Sequence, residues 1–136
     1  MKKDAYKMID KSKKIFKMKQ NYDAENDSLF LYVIDDYKYR ESVELDGNII
    51  LDFDENCVPV ALEILNVSKL FGVSKYYLTK PISFRMSIAV SKKSIAIKSL
   101  FSINVRQRIT EKPIKAETLN DINLPLQETS FEPITA

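Results

Sequence analysis

The sequence predicts an α+β domain: a mostly antiparallel β-sheet with one or two short helices in the middle of the chain. Three observations carry this. Ile49, Leu51 and Phe53 alternate on one face of a run that turns at Asp54-Glu55-Asn56, and Val58, Val60, Leu62 and Ile64 alternate on the way back, which is the period of two of half-buried strands. Ile82, Phe84, Met86, Ile88 and Val90 repeat that pattern strictly. Between the two lies a short stretch with a helix start at Asn66 and a stop at Gly72.

Taken in order, Met1 to Lys14 is a basic arm or a short amphipathic helix, with Ala5, Met8, Ile9 and Ser12 at helical spacing. Phe16, Met18, Gln20 and Tyr22 then alternate as a strand. Tyr22 to Asp27 is a hairpin loop, because Asp and Asn side chains accept local backbone N–H groups, and Ser28 to Ile34 is a well-buried strand. Ser42 to Leu45 is a short strand that ends in the tight turn Asp46-Gly47, whose glycine can take positive φ. After the central hairpin, Asn66 caps a helix through Val67, Leu70 and Phe71, and Ser74 caps a further single turn with Tyr77 and Leu78 facing inward. Ser91 to Ser94 is a turn. Ile95, Ile97, Phe101, Ile103, Val105 and Ile109 all fall on odd positions with Leu100 out of phase, which predicts two strands or one strand bent near Ser99. From Lys112 the pattern fades and Pro113, Pro125 and Pro133 appear. The expected organisation is therefore an arm over residues 1–14, one domain over 15–112, and an extended or disordered tail over 113–136.

A chain of 136 residues can bury one core without disulfides or a structural metal. The single Cys57 has no partner for an intramolecular disulfide, and no signal-peptide-like or membrane-spanning run stands out, so a cytoplasmic protein with no membrane association is expected. Histidine is absent, which removes the commonest general base and zinc ligand, and the two glycines, Gly47 and Gly72, make no phosphate-cradling loop. These absences lead to the expectation of a chain that is not an enzyme and holds no cofactor. Cys57 reads as a turn or core residue. Asp23, Asp27, Asp52, Asp54 and Glu63 could supply oxygen ligands to a hard cation, but their spacing does not fit a twelve-residue calcium loop, and turn caps and strand-face positions account for them; no metal is expected.

The net charge of +2 conceals segregation. Residues 21–66 carry twelve acids and two bases, whereas residues 67–115 carry eleven bases and Glu111 as the lone acid. Such blocks create local fields that steer partners, unless they neutralise one another within the fold.

At Tyr22-Asp23, Asp27, Leu29 and Tyr32, then Asp52-Phe53-Asp54, then Glu63-Ile64-Leu65-Asn66-Val67-Ser68, the chain resembles an uncharacterised prokaryotic domain family with the patterns YD-x-x-x-D-x-L, DYD-x-x-G and IEIL-x-AS. The likeness covers residues 16–72. It implies a small antiparallel sheet with one helix and no established activity. Some members are encoded beside small toxin-like proteins, which implies an antitoxin-like role by analogy alone. Cys57 stands where the family usually has glycine, and Ala61 where it has glycine before the IEIL-type run, so the left-handed residue of the hairpin turn is expected at Asn56.

Two roles follow. The first is a non-catalytic protein-interaction module that meets a basic protein, or a second copy of itself, through Asp23, Glu25, Asp27, Asp35, Asp36, Glu41 and Glu44, with exposed edge strands adding to the contact. The second is nucleic-acid binding through Lys69, Lys75, Arg85, Lys92, Lys93, Lys98, Arg106 and Arg108, with Tyr76 as an aromatic left free to stack. The first is the expectation and the second its rival.

Overall fold

The computed structural model describes residues 14–134. The arm expected over residues 1–14 lies outside them except for Lys14, where the first strand begins. The chain forms β1 (Lys14–Asp23), β2 (Ser28–Val33), β3 (Tyr39–Leu45), β4 (Ile49–Asp54), β5 (Pro59–Leu65), α1 (Val67–Phe71), a 3-10 turn (Lys75–Leu78), β6 (Ser83–Val90), β7 (Ser94–Val105), β8 (Arg108–Leu119) and β9 (Gln127–Pro133). Among the described residues one sheet holds every strand, in the order β3-β4-β5-β2-β1-β9-β6-β7-β8.

A lone sheet can hide its apolar face only by curling onto itself or under other elements. Here the curl does most of it: the edge strands β3 and β8 approach each other, and one continuous core runs from Leu29, Leu31, Leu51 and Leu62 to Phe84, Ile97, Phe101 and Phe131. The helix covers an end of that core, where Phe71 meets Phe101 at a ring separation of 5.2 Å. Among the described residues the helical structure is a five-residue helix and a 3-10 turn, both in the middle of the chain, in agreement with the expected mostly β-sheet domain with one or two short helices.

The sheet is mixed, not purely antiparallel. β9 runs parallel to β1, with Phe16 opposite Phe131, and antiparallel to β6, with Met86 opposite the same Phe131. A parallel neighbour requires a crossover, and the 120–126 connection makes one past the β6–β7 turn. Buried Asn120 latches it, donating to Ser91 O at 2.9 Å and Leu124 O at 3.0 Å while its own carbonyl accepts the Leu124 N–H. The segment expected as a tail is therefore built into the fold: residues 113–119 complete β8, and residues 127–133 lie near the middle of the sheet.

Other expectations are refined by backbone geometry. β7 is one strand with a continuous register on both sides, and Leu100 faces away from the core instead of marking a bend. The left-handed residue of the central turn is Cys57 (φ 62°), not Asn56. The Asp54 carboxylate accepts the N–H groups of Asn56 and Val58, each at 2.9 Å, which closes the turn around Asp54 and leaves position 57 to take the inversion. Asn66 (φ 54°) makes no side-chain cap; the Asp27 carboxylate accepts the Ser68 N–H in its place. Gly72 (φ 66°) ends the helix, and the Ser74 hydroxyl accepts the Tyr76 N–H, as the sequence predicts.

Candidate functional site

On β6, Phe84 and Met86 turn into the core, so Arg85 and Ser87 must face out. The same alternation turns Lys98 and Leu100 outward on β7 and Pro113 and Lys115 outward on β8, around the buried Ile97, Ser99, Ile114 and Ala116. The register sets these side chains side by side: Arg85 opposite Leu100, Ser87 opposite Lys98, Lys98 opposite Lys115, and Leu100 opposite Pro113. With Ile15, Ser130 and Glu132 they line an open trough of about 540 Å³. Its floor is apolar and its cations are crowded.

The Lys98–Lys115 pair is unfavourable in itself, because like charges directly opposite in an antiparallel ladder repel. Among the described residues, the ion pairs are Lys17 with Glu132 and Arg40 with Glu41, so Arg85, Lys98 and Lys115 have no counter-charge in direct contact. A multiply charged anion would supply one. Arg85 and Lys98 belong to the predicted basic set; Lys115 and the apolar floor do not. Lys115 sits in the stretch read as a tail, and the alternation of Ile114, Ala116 and Thr118 around it was the available signal.

The remaining predicted bases are scattered. Lys92 and Lys93 occupy the β6–β7 turn, whereas Arg106 and Arg108 lie at the β7–β8 turn, the opposite end of β7. Lys69 is exposed on α1. Lys75 donates to Ala24 O at 2.9 Å and is tied to the β1–β2 loop.

The acidic set also divides. Asp27 is buried and cannot be a partner-binding surface residue: it accepts Tyr22 Oη at 2.8 Å, Ser68 Oγ at 2.7 Å and the Ser68 N–H at 3.0 Å. Burial pushes its carboxyl up, but these bonds outweigh that and hold it below the usual range. Burial, and then the bond to Asp27, raises the Tyr22 phenol well above its ordinary value. Asp23 caps its own loop, accepting from Glu25 N, Asn26 N and Asn26 Nδ2, and these Asn26 bonds lower its carboxyl. Glu25, Asp35 and Asp36 are exposed in loops, and Glu41 and Glu44 lie on edge strand β3. The wider carboxylate group stays apart as well: Asp52 accepts from Ser42, Asp54 closes its turn, and Glu63 accepts from Ser28. No group of three or more Cys, Asp or Glu residues disposed to hold a metal occurs among the described residues.

The edges offer little to a pairing strand. β8 carries Pro113, which has no N–H to donate, with Lys112 and Lys115 beside it, and β3 has an irregular register between Tyr39 and Glu41. The acids of the strands gather on β3, β4 and β5 at one side of the sheet order, and bases prevail on β6, β7 and β8 at the other, where β8 also carries Glu111 and Glu117. No helix among the described residues is long and apolar enough to cross a membrane.

A family model described as "Protein of unknown function (DUF2283)" matches residues 19–68. A protein of Methanosarcina mazei named "Putative hypoxanthine phosphoribosyltransferase" is 40% identical over 114 residues, 84% of this chain and 91% of its own length. An uncharacterized protein of Methanocaldococcus jannaschii is 38% identical over 109 residues, 79% of this chain and 92% of its own length. No solved structure matches the chain. The name of the Methanosarcina relative is an enzyme's, and it overturns the expectation of a chain that is not an enzyme.

Proposed function

The chain belongs to the DUF2283 family, a family of unknown function, and on that premise we propose that it binds nucleic acid through the trough on β6, β7 and β8. The observation that carries this reading is the opposed Lys98–Lys115 pair, flanked by Arg85, none of the three having an ion-pair partner among the described residues. Phosphates would neutralise the three cations, and the Leu100, Pro113 and Ile15 floor would accept sugar and base faces. The name of the Methanosarcina relative refers to transfer of a phosphoribosyl group, a sugar phosphate of the same chemistry, and so supports a phosphate-bearing ligand.

The rival is capture of a basic protein, an antitoxin-like role included. It has less support, since Asp27 is buried, Asp23 is spent on its loop, and proline and charge guard the edge strand β8. Binding of a labelled single-stranded RNA, followed by fluorescence anisotropy at rising salt, separates the two. Neutralising three phosphates gives a slope of about −2 in log affinity against log salt. Lys98→Glu with Lys115→Glu should weaken the complex at least about tenfold, and Asp35→Lys with Asp36→Lys and Glu41→Lys should leave it intact. Affinity indifferent to the first pair of substitutions overturns the reading.

A further inference from the structure

A second cavity, of about 310 Å³, lies between the 3-10 turn and the β7–β8 turn, and its lining includes Tyr76, Tyr77, Lys80, Asn104, Arg106 and Gln107. It lies away from the trough, and the two share no lining residue. Its volume is at the small end of the range for ligand sites. The chemistry of its walls is specific. Tyr76 is 64% exposed and stands edge-on to Tyr77, with ring centroids 5.4 Å apart and planes at 76°. Its backbone is held, because Ser74 accepts the Tyr76 N–H and Thr79 donates to Tyr76 O through both its N–H and its hydroxyl. Lys80 and Arg106 bring two cations with no ion-pair partner among the described residues, and Asn104 and Gln107 bring amides that can both donate and accept.

The turn that presents Arg106 and Gln107 is unusual. Val105 pairs with Arg108, so these two residues alone connect the strands, and their φ values are 52° and 67°. Two-residue hairpin turns of this hand favour Asn-Gly or Gly-Gly, since side chains strain the left-handed region. Here both strained positions carry long polar side chains, and both line the cavity. Strain kept at positions that face a cavity is the pattern of a ligand-contacting turn.

We propose that this cavity binds a nucleoside monophosphate group: the base stacks on Tyr76, the phosphate meets Arg106 and Lys80, and Asn104 and Gln107 contact the base edge or ribose. The site extends the nucleic-acid reading but does not depend on the trough. The group could be a free nucleotide or the 5′ end of a strand.

Titration of the full chain with adenosine 5′-monophosphate, and with a 5′-phosphorylated dinucleotide, tests this by heat release or by chemical shifts of the two tyrosines. Binding should fall at least tenfold in Arg106→Gly and in Tyr76→Ala, and adenosine or inorganic phosphate alone should bind much more weakly than the nucleotide. Arg106→Gly relieves the φ strain, so its melting temperature should hold or rise while affinity falls, which separates lost contact from lost folding. The shifts of Tyr76 and Tyr77 report this cavity and not the trough, which neither ring lines, so failure of the trough reading stays distinct from failure here. Tighter binding of the dinucleotide assigns the site to a strand end, and equal binding assigns it to the free nucleotide. Absence of binding by both, affinity unchanged in Arg106→Gly and Tyr76→Ala, or phosphate binding as tightly as nucleotide would overturn the proposal.

Discussion

The carboxylate of Asp27 receives both the hydroxyl of Ser68, at 2.7 Å, and its backbone N–H, at 3.0 Å, across 41 positions of chain. The Asp27 carbonyl also accepts the Val67 N–H at 3.1 Å, so the β1–β2 loop closes the start of α1. Two of the motif blocks that carry the family resemblance therefore meet in one buried contact.

Asp27→Asn should destabilise the fold by about 1.5–3 kcal/mol at neutral pH, the range for hydrogen bonds to a charged group. Asparagine tolerates the left-handed backbone at this position (φ 52°), so the loss reports the charge and not the turn. The folded-state pKa of Asp27 is lowered, so its contribution is complete above the ordinary carboxylate value and disappears as pH falls through the lower, folded one. Urea midpoints measured from pH 7 downward should show a shallower acid limb in the variant; parallel curves would show that Asp27 titrates as it does in the unfolded chain.

Leu62 is 1% exposed and sits in a row with Leu31 of β2 on one side and Leu51 of β4 on the other. Truncation to alanine should cost roughly 2–5 kcal/mol. An unchanged denaturation midpoint would contradict the register of the central hairpin.

At Cys57 the chain places a side chain where φ is 62°. Cys57→Gly removes a left-handed penalty of about 1–2 kcal/mol and loses some packing together with the Arg40 contact to Sγ at 3.3 Å. A net gain of about 1 kcal/mol is expected, read as a higher melting temperature; a loss would show that thiol packing outweighs backbone strain.

Lys98→Glu creates an opposite-charge pair with Lys115 in place of a like-charge one. Stability should rise by about 0.2–1 kcal/mol while affinity for a single-stranded oligonucleotide falls. Denaturation midpoints and oligonucleotide titrations of the parent and the variant check the two effects, and a loss of stability in Lys98→Glu would show that the Lys98–Lys115 pair is not a repulsive one.

The strands themselves were legible because alternation is local: a residue's neighbours two positions away report which face it takes, and Ile49 to Phe53, Val60 to Ile64 and Ile82 to Val90 all lie as their period requires. Gly72 and Ser74 were readable for the same reason, since a stop and a cap act within one turn. Strand order is not local. That β9 enters between β1 and β6, parallel to one and antiparallel to the other, depends on a crossover latched by Asn120, and no spacing around Phe131 announces it. The tertiary structure alone decided that Asp27 is buried against Ser68, and that Arg85, Lys98 and Lys115 share one trough. Charge along a chain is additive, but which charges stand opposite each other is set by register, and register is fixed only when the whole sheet closes over its core.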